Sequence, residues 1–147
     1  MSRRRPMDLV LTQDFDQDRE SLWRSLTDSA ALADWLMPNT FRPVVGATFE
    51  LRAGPEDTDC GGTVRCRVLT LEPPHLMVWS WIEDGTGSPT AVSFTLTERG
   101  TGCRLAIRHR GLASTPEEES FRQGWLQKCA ALEQHLGNKG GEHARSA

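Results

Sequence analysis

The stretch TPEEESFRQGWLQKCAALEQHL, residues 115–136, decides how the rest of the chain is read. Phe121, Trp125, Cys129, Leu132 and Leu136 recur at spacings of four, four, three and four, so they share one stripe of a helix. Thr115 and Glu118 have the spacing of a capping box, and Pro116 suits the first helical position. Glu117, Glu118 and Glu119 favour the positive end of the helix dipole, and Gly137 supplies a stop. A helix with so continuous an apolar stripe needs a surface to cover.

That surface is found upstream. From residue 46 onward, glycines and prolines bracket five short runs, ATFELR, TVRCRVLTL, HLMVWSWI, TAVSFTLTE and CRLAIRHR. Such punctuation predicts an antiparallel meander. Several runs alternate as a sheet with one covered face should: Val64, Cys66 and Val68 oppose Arg65 and Arg67, while Val92, Phe94 and Leu96 oppose Ser93 and Thr95. Met77, Trp79 and Trp81 share one face of their run. Leu105, Ile107 and His109 oppose Arg104 and Arg108, which aims the histidine at the apolar side.

Before the meander, residues 7–13 (MDLVLTQ) read as a first strand, and Asp16 offers an N-cap to a helix through about Leu26. Asp28 or Ser29 caps a second short helix, ALADWL, which ends near Met37 because Pro38 disfavours helical geometry in the residue before it. One strand, two short helices, five further strands and a long last helix describe an α+β, helix-grip architecture. Its curved antiparallel sheet of about six strands wraps the C-terminal helix and leaves a cavity between them.

With 147 residues, 37% of them hydrophobic, the chain fits one domain, placed at residues 7–136 between a basic tail (1–6) and a polar, glycine-rich tail (137–147), both read as disordered. A formal charge of −3 gives no sequence-wide basic excess for nucleic acid or an anionic membrane. No apolar run reaches the roughly 20 residues of a spanning helix, and PMDLVLTQDFD after the first arginines is too polar for a secretory segment. A cytoplasmic protein is expected. Cys60, Cys66, Cys103 and Cys129 show no CxxC spacing, and the last three fall in apolar segments as free core thiols. Cys60 beside Asp57 and Asp59 makes a poor metal site, so no metal is expected, and no motif calls for a cofactor.

The segments SLWRSLTDSAALADWLMP, VVGATFELR, GGTVRCRVLTLEPPHLMVWSW, AVSFTLTERGTGCRLAIRHRGL and FRQGWLQKCAALEQHL together resemble the START-like (SRPBCC) superfamily. Within it they are most similar to domains homologous to the heat-shock-protein-90 ATPase activator. The distinctive elements are Trp35 in ADWL, Pro73 and Pro74 followed by Trp81, the strand ending at His109, and the Gly124–Trp125 pair. Gly46 is followed by Ala47 where the family commonly has two glycines. The resemblance covers roughly residues 8–136 and implies the helix-grip fold with an internal cavity.

The resemblance also puts Trp81 inside, and Trp79 follows by strand parity. Trp35, Trp79, Trp81 and Trp125, with Phe94, Phe121 and His109, then form the candidate ligand-binding set, while Trp23 reads as a packing residue. Three functions follow from this set. One is binding of a small hydrophobic molecule; a second, implied by the resemblance, is a chaperone accessory acting on a heat-shock-protein-90 ATPase. The third is a cyclase or hydrolase-like enzyme using His109 as acid or base. No nucleophile with an adjacent base is readable, and there is no GxSxG. Arg65, Arg67, Arg104, Arg108 and Arg110 line the outer face, either as a basic stripe for an acidic partner or phosphate-rich ligand, or as a solvated face interleaved with acids. Monomer and homodimer both remain open.

Overall fold

Strand β1 (Arg5–Phe15) is followed by helices α1 (Arg19–Thr27) and α2 (Ser29–Trp35), then by β2 (Thr48–Arg52), β3 (Thr63–Glu72), β4 (Leu76–Glu83), β5 (Thr90–Arg99), β6 (Gly102–Ala113) and the long helix α3 (Thr115–Ser146). The computed structural model describes residues 4–52, 63–83 and 89–146, with side chains through residue 137. Cys60, Asp57 and Asp59 lie outside the described residues. All six strands pair antiparallel in the order β1-β6-β5-β4-β3-β2. This is the α+β, helix-grip arrangement expected from the meander and the final stripe.

Alternation holds along the sheet. Met7 and Leu9, Val64, Cys66 and Val68, Met77, Trp79 and Trp81, Val92, Phe94 and Leu96, and Leu105, Ile107 and His109 are all buried. Trp125, Cys129, Leu132 and Leu136 of α3 are buried against them, and each fully buried residue such as Leu132 contributes about 1.5–3 kcal/mol. Cys66, Cys103 and Cys129 are free and buried. Burial holds all three thiols well above the usual range, Cys129 at about 11, so they pack as small apolar groups.

The termini of elements depart from expectation for local reasons. β1 starts at Arg5, inside the expected tail, because β6 is long enough to pair it from Ala113 down to Cys103. Arg4 forks onto Glu117 of α3. With β1 running to Phe15, Asp16 falls in the turn and Asp18 becomes the cap of α1, its carboxylate accepting from the Ser21 N–H at 2.9 Å. Asp28 caps α2 by accepting from the Ala31 N–H. The capping box of α3 sits one residue earlier than Thr115 and Glu118. The Glu117 carboxylate accepts from the Ser114 N–H at 2.7 Å, and the Ser114 hydroxyl accepts from the Glu117 N–H at 3.2 Å. Gly137 does not stop α3, which continues to Ser146. Gly137 keeps a negative φ and no proline follows it.

The β2 edge is covered by residues 38–41. Arg52 N–H donates to Pro38 O, Thr40 N–H to Glu50 O, and Glu50 N–H to the Thr40 hydroxyl. In β3 a bulge between Val68 and Thr70 leaves Leu69 unpaired and exposed, while Val68 and Leu71 on either side keep their register with Trp79 and Met77. Among the described residues no helix is long and apolar enough to cross a membrane.

Gly111 lies opposite Thr90 with φ of 149°, and a Cβ there would approach Thr90 Cγ2 to 2.7 Å. Gly124, on α3, has open space where a Cβ would go. Gly111→Ala is therefore expected to destabilise by at least about 2 kcal/mol in urea unfolding. Gly124→Ala should be neutral or stabilise by up to about 1 kcal/mol. Equal effects from the two alanines would refute the steric role given to Gly111.

Candidate functional site

Between the sheet and α3, the inward side chains of four strands and one helix form a continuous row of rings. It starts at Phe41 and Phe49 (centroids 5.1 Å apart), passes through Trp79 (5.0 Å from Phe49) and Phe94 (4.7 Å from Trp79), and reaches Trp125. Trp125 lies 5.4 Å from Trp81, Trp81 5.4 Å from His109, and His109 4.2 Å from Phe121. Six of the seven candidate residues, Trp79, Trp81, Phe94, His109, Phe121 and Trp125, thus stand together. Trp35 stands apart: it is buried, and its indole N–H donates to Ser25 O at 2.8 Å, tying α2 to α1. Trp23 is buried on α1.

The polar atoms divide this row into two unlike ends. At the end nearest β6, the Trp125 indole N–H donates to His109 Nδ1 at 3.0 Å. An indole nitrogen only donates, so Nδ1 is the bare acceptor and the imidazole proton sits on Nε2. Nε2–H then donates to Thr90 Oγ1 at 2.7 Å, and the Thr90 hydroxyl donates to Trp81 O at 3.1 Å. Every group in this relay is satisfied. Burial pushes the His109 pKa down to about 3, so the ring stays neutral. Both His109 nitrogens are engaged in this relay, and the ring is neutral.

At the opposite end the account is different. Trp79 is fully buried, and its indole N–H has no hydrogen-bond partner among the described residues. The other inner indoles that stand in or near the row each reach an acceptor: Trp35 and Trp125 as above, and Trp81 the Glu83 carboxylate at a long 3.4 Å. Trp79 is enclosed by Phe41, Phe49 and Phe94. Phe41 and Phe49 were not among the sequence candidates. Phe49 was accessible from its alternation with Leu51 in β2, but Phe41 follows Pro38 in a segment with no period and gave no signal.

Two further polar features escaped the sequence. Thr90, the middle of the relay, looks like an ordinary strand threonine. His135 on α3 bonds through Nδ1 to the Asp34 carboxylate on α2, and its buried Nε2 has no partner among the described residues. No group of three or more potential metal ligands occurs among the described residues. On the outer face, Arg104 forks onto Asp14 and Arg108 onto Asp8, and these bonds hold both carboxyls below the usual carboxylate range. That part of the expected basic stripe is neutralised by acids from β1.

The sequence matches the family model described as Activator of Hsp90 ATPase homolog 1-like protein over residues 16–137. No curated protein matches the chain. Among solved structures, protein MLL2253 from Mesorhizobium loti is 30% identical, with a TM-score of 0.82 over 90% of this chain and 98% of that one. CalU16 from Micromonospora echinospora shares the fold at 19% identity and a TM-score of 0.76, covering 99% of this chain and 90% of that one. DynU16, a protein in the dynemicin biosynthetic locus, shares it at 20% identity and a TM-score of 0.79; the match covers 88% of this chain and 47% of that one.

The neutral, buried His109 makes stability depend on pH. In the unfolded chain an imidazole takes a proton near pH 6.5, whereas the folded one resists until about 3. Stability is therefore complete above about 6.5 and is withdrawn as pH falls toward 3, by up to about 1.4 kcal/mol per pH unit. His109→Gln keeps an acceptor and a donor without a titrating group. Urea unfolding from pH 7 to 4 should show a flatter decline for this variant than for the unaltered protein, and parallel declines would show that His109 is not the group responsible.

Proposed function

Because the chain belongs to the Activator of Hsp90 ATPase homolog 1-like family, and with it to the START-like superfamily, we propose that it binds a small, largely apolar molecule in the space between sheet and α3. The ligand carries a hydrogen-bond acceptor that receives the Trp79 indole N–H. The observation that carries this proposal is the unpartnered N–H itself. A buried donor left unpaired costs roughly 1–3 kcal/mol, and within the row of rings, where Trp125 and His109 are fully satisfied, an acceptor brought by a ligand would recover that cost. The surrounding Phe41, Phe49 and Phe94 supply the apolar wall.

His109, Trp81, Trp125 and Phe121 have a different part in this scheme. They close the β6 end and hold α3 in place, so the ligand meets Trp79 and Phe94 first. The likeness to CalU16 and to DynU16, a protein in the dynemicin biosynthetic locus, is one of fold alone. The family match also supports a second role, as accessory to a heat-shock-protein-90 ATPase. Stimulation of such an ATPase at tens of micromolar is its test, and no binding at that concentration removes it.

A matched pair of probes tests the donor. 2-Acetylnaphthalene carries a carbonyl; 2-ethylnaphthalene has nearly its shape without one. In NMR titrations the ketone should bind about tenfold more tightly, a difference of about 1.4 kcal/mol, and Trp79→Phe should abolish that preference while leaving the fold intact. A preference that survives in Trp79→Phe, or no saturable binding by either probe, would count against the site. Native mass spectrometry of freshly purified protein is expected to show a retained small molecule lost on denaturation.

A further inference from the structure

The outer face of the sheet carries a second concavity, about 640 Å³, across β2, β3 and β4. Its walls include Thr48 and Glu50 of β2, Arg67 and Leu69 of β3, and Ser80 and Ile82 of β4. Strand register arranges these side chains in rows. Thr48, Arg67 and Ser80 face outward in one cross-strand row; Glu50, Arg65 and Ile82 form the next. The volume falls in the range of small-molecule sites rather than of protein interfaces.

Charge distinguishes this region from the rest of the face. On β6, Arg104 and Arg108 are each clamped by an aspartate of β1. Glu50 lies 3.5 Å from Arg52 and stands in register with Arg65. The Arg67 guanidinium has no carboxylate partner among the described residues. Beside it, Ser80 Oγ accepts the Arg67 backbone N–H at 2.9 Å, which leaves the Ser80 hydroxyl proton free to donate. The Thr48 hydroxyl completes a row of three potential donors to one oxyanion. Apolar surface flanks that row on both sides, from Leu69, 46% exposed at the bulge, and Ile82, 36% exposed.

We propose that this outer groove binds a small amphipathic anion, its carboxylate or phosphate held by Arg67, Ser80 and Thr48 and its apolar body laid on Leu69 or Ile82. A charged head on a guanidinium gains more than a neutral one. Large exposed apolar side chains beside an unpaired cation are matched by a ligand with both characters. The site is independent of the inner row: Trp79 points to the opposite face of β4.

Octanoate, octanol and acetate separate the elements of this proposal. In backbone-amide NMR titrations, octanoate should shift Thr48, Arg67 and Ser80 saturably, with octanol and acetate each at least tenfold weaker. Arg67→Gln should weaken octanoate about tenfold and Arg67→Lys less, both read at the Thr48 and Ser80 amides. Because Arg67 is exposed, neither substitution threatens the fold. Octanol or acetate binding as tightly as octanoate, shifts centred on Trp79 and Phe94 instead, or indifference to Arg67→Gln would each overturn the proposal.

Discussion

A helix laid across a curved sheet is held in register by the buried polar bonds that cross the gap, and here one runs from Trp125 to His109. The indole has one proton and no lone pair to offer, so its 3.0 Å contact fixes the imidazole tautomer and thereby the direction of the whole relay through Thr90 to the Trp81 carbonyl. Each link is worth about 1 kcal/mol, yet losing one strands a buried partner at a cost of about 1–3 kcal/mol. Apolar burial supplies the bulk of the attraction between α3 and the sheet, but it is not directional. The relay says which turn of α3 faces which strand. Gly111 belongs to the same arrangement, because only a residue without a Cβ lets Thr90 approach β6 closely enough to reach His109.

The relay also explains why the inner row of rings has two characters. Where polar groups complete one another, the space is closed and a ligand has nothing to displace without breaking a satisfied network. At the Phe41 and Phe49 end the enclosing rings are apolar, and Trp79 Nε1 has no hydrogen-bond partner among the described residues. The satisfied relay and the unpartnered indole thus separate along one row, about two strands apart. His109, the residue that chemistry alone would single out, falls on the structural side.

Much of the fold was legible because it rests on periodicity. The stripe from Phe121 to Leu136 and the alternation in β3, β5 and β6 are set by apolar burial, which reads directly from spacing. Helix starts were less legible, since Asp16 and Asp18 are chemically equal caps and only the length of β1 decides between them. Ser114 displaced Thr115 for the same reason: β6 ends at Ala113. The candidate site was legible as a set of inward aromatics, but not as a circuit. Whether an indole is paired depends on one acceptor atom in another strand, and the sequence has no period that reports it. Trp35 shows the limit well, as its acceptor, Ser25 O, is a backbone atom ten residues away.

The two faces of the sheet are linked through the bulge in β3. Strand parity has to keep Val68 and Leu71 inward on both sides of it, against Trp79 and Met77, if the core is to stay continuous. The extra residue returns Leu71 to the inner face, while Leu69, directly after the inward Val68, lies on the outer face beside Arg67. Leu69 thus stands on the outer face by strand alternation, and its position beside a guanidinium with no carboxylate partner among the described residues gives this part of the face an amphipathic character that Arg104 and Arg108 of β6, each paired with an aspartate, lack.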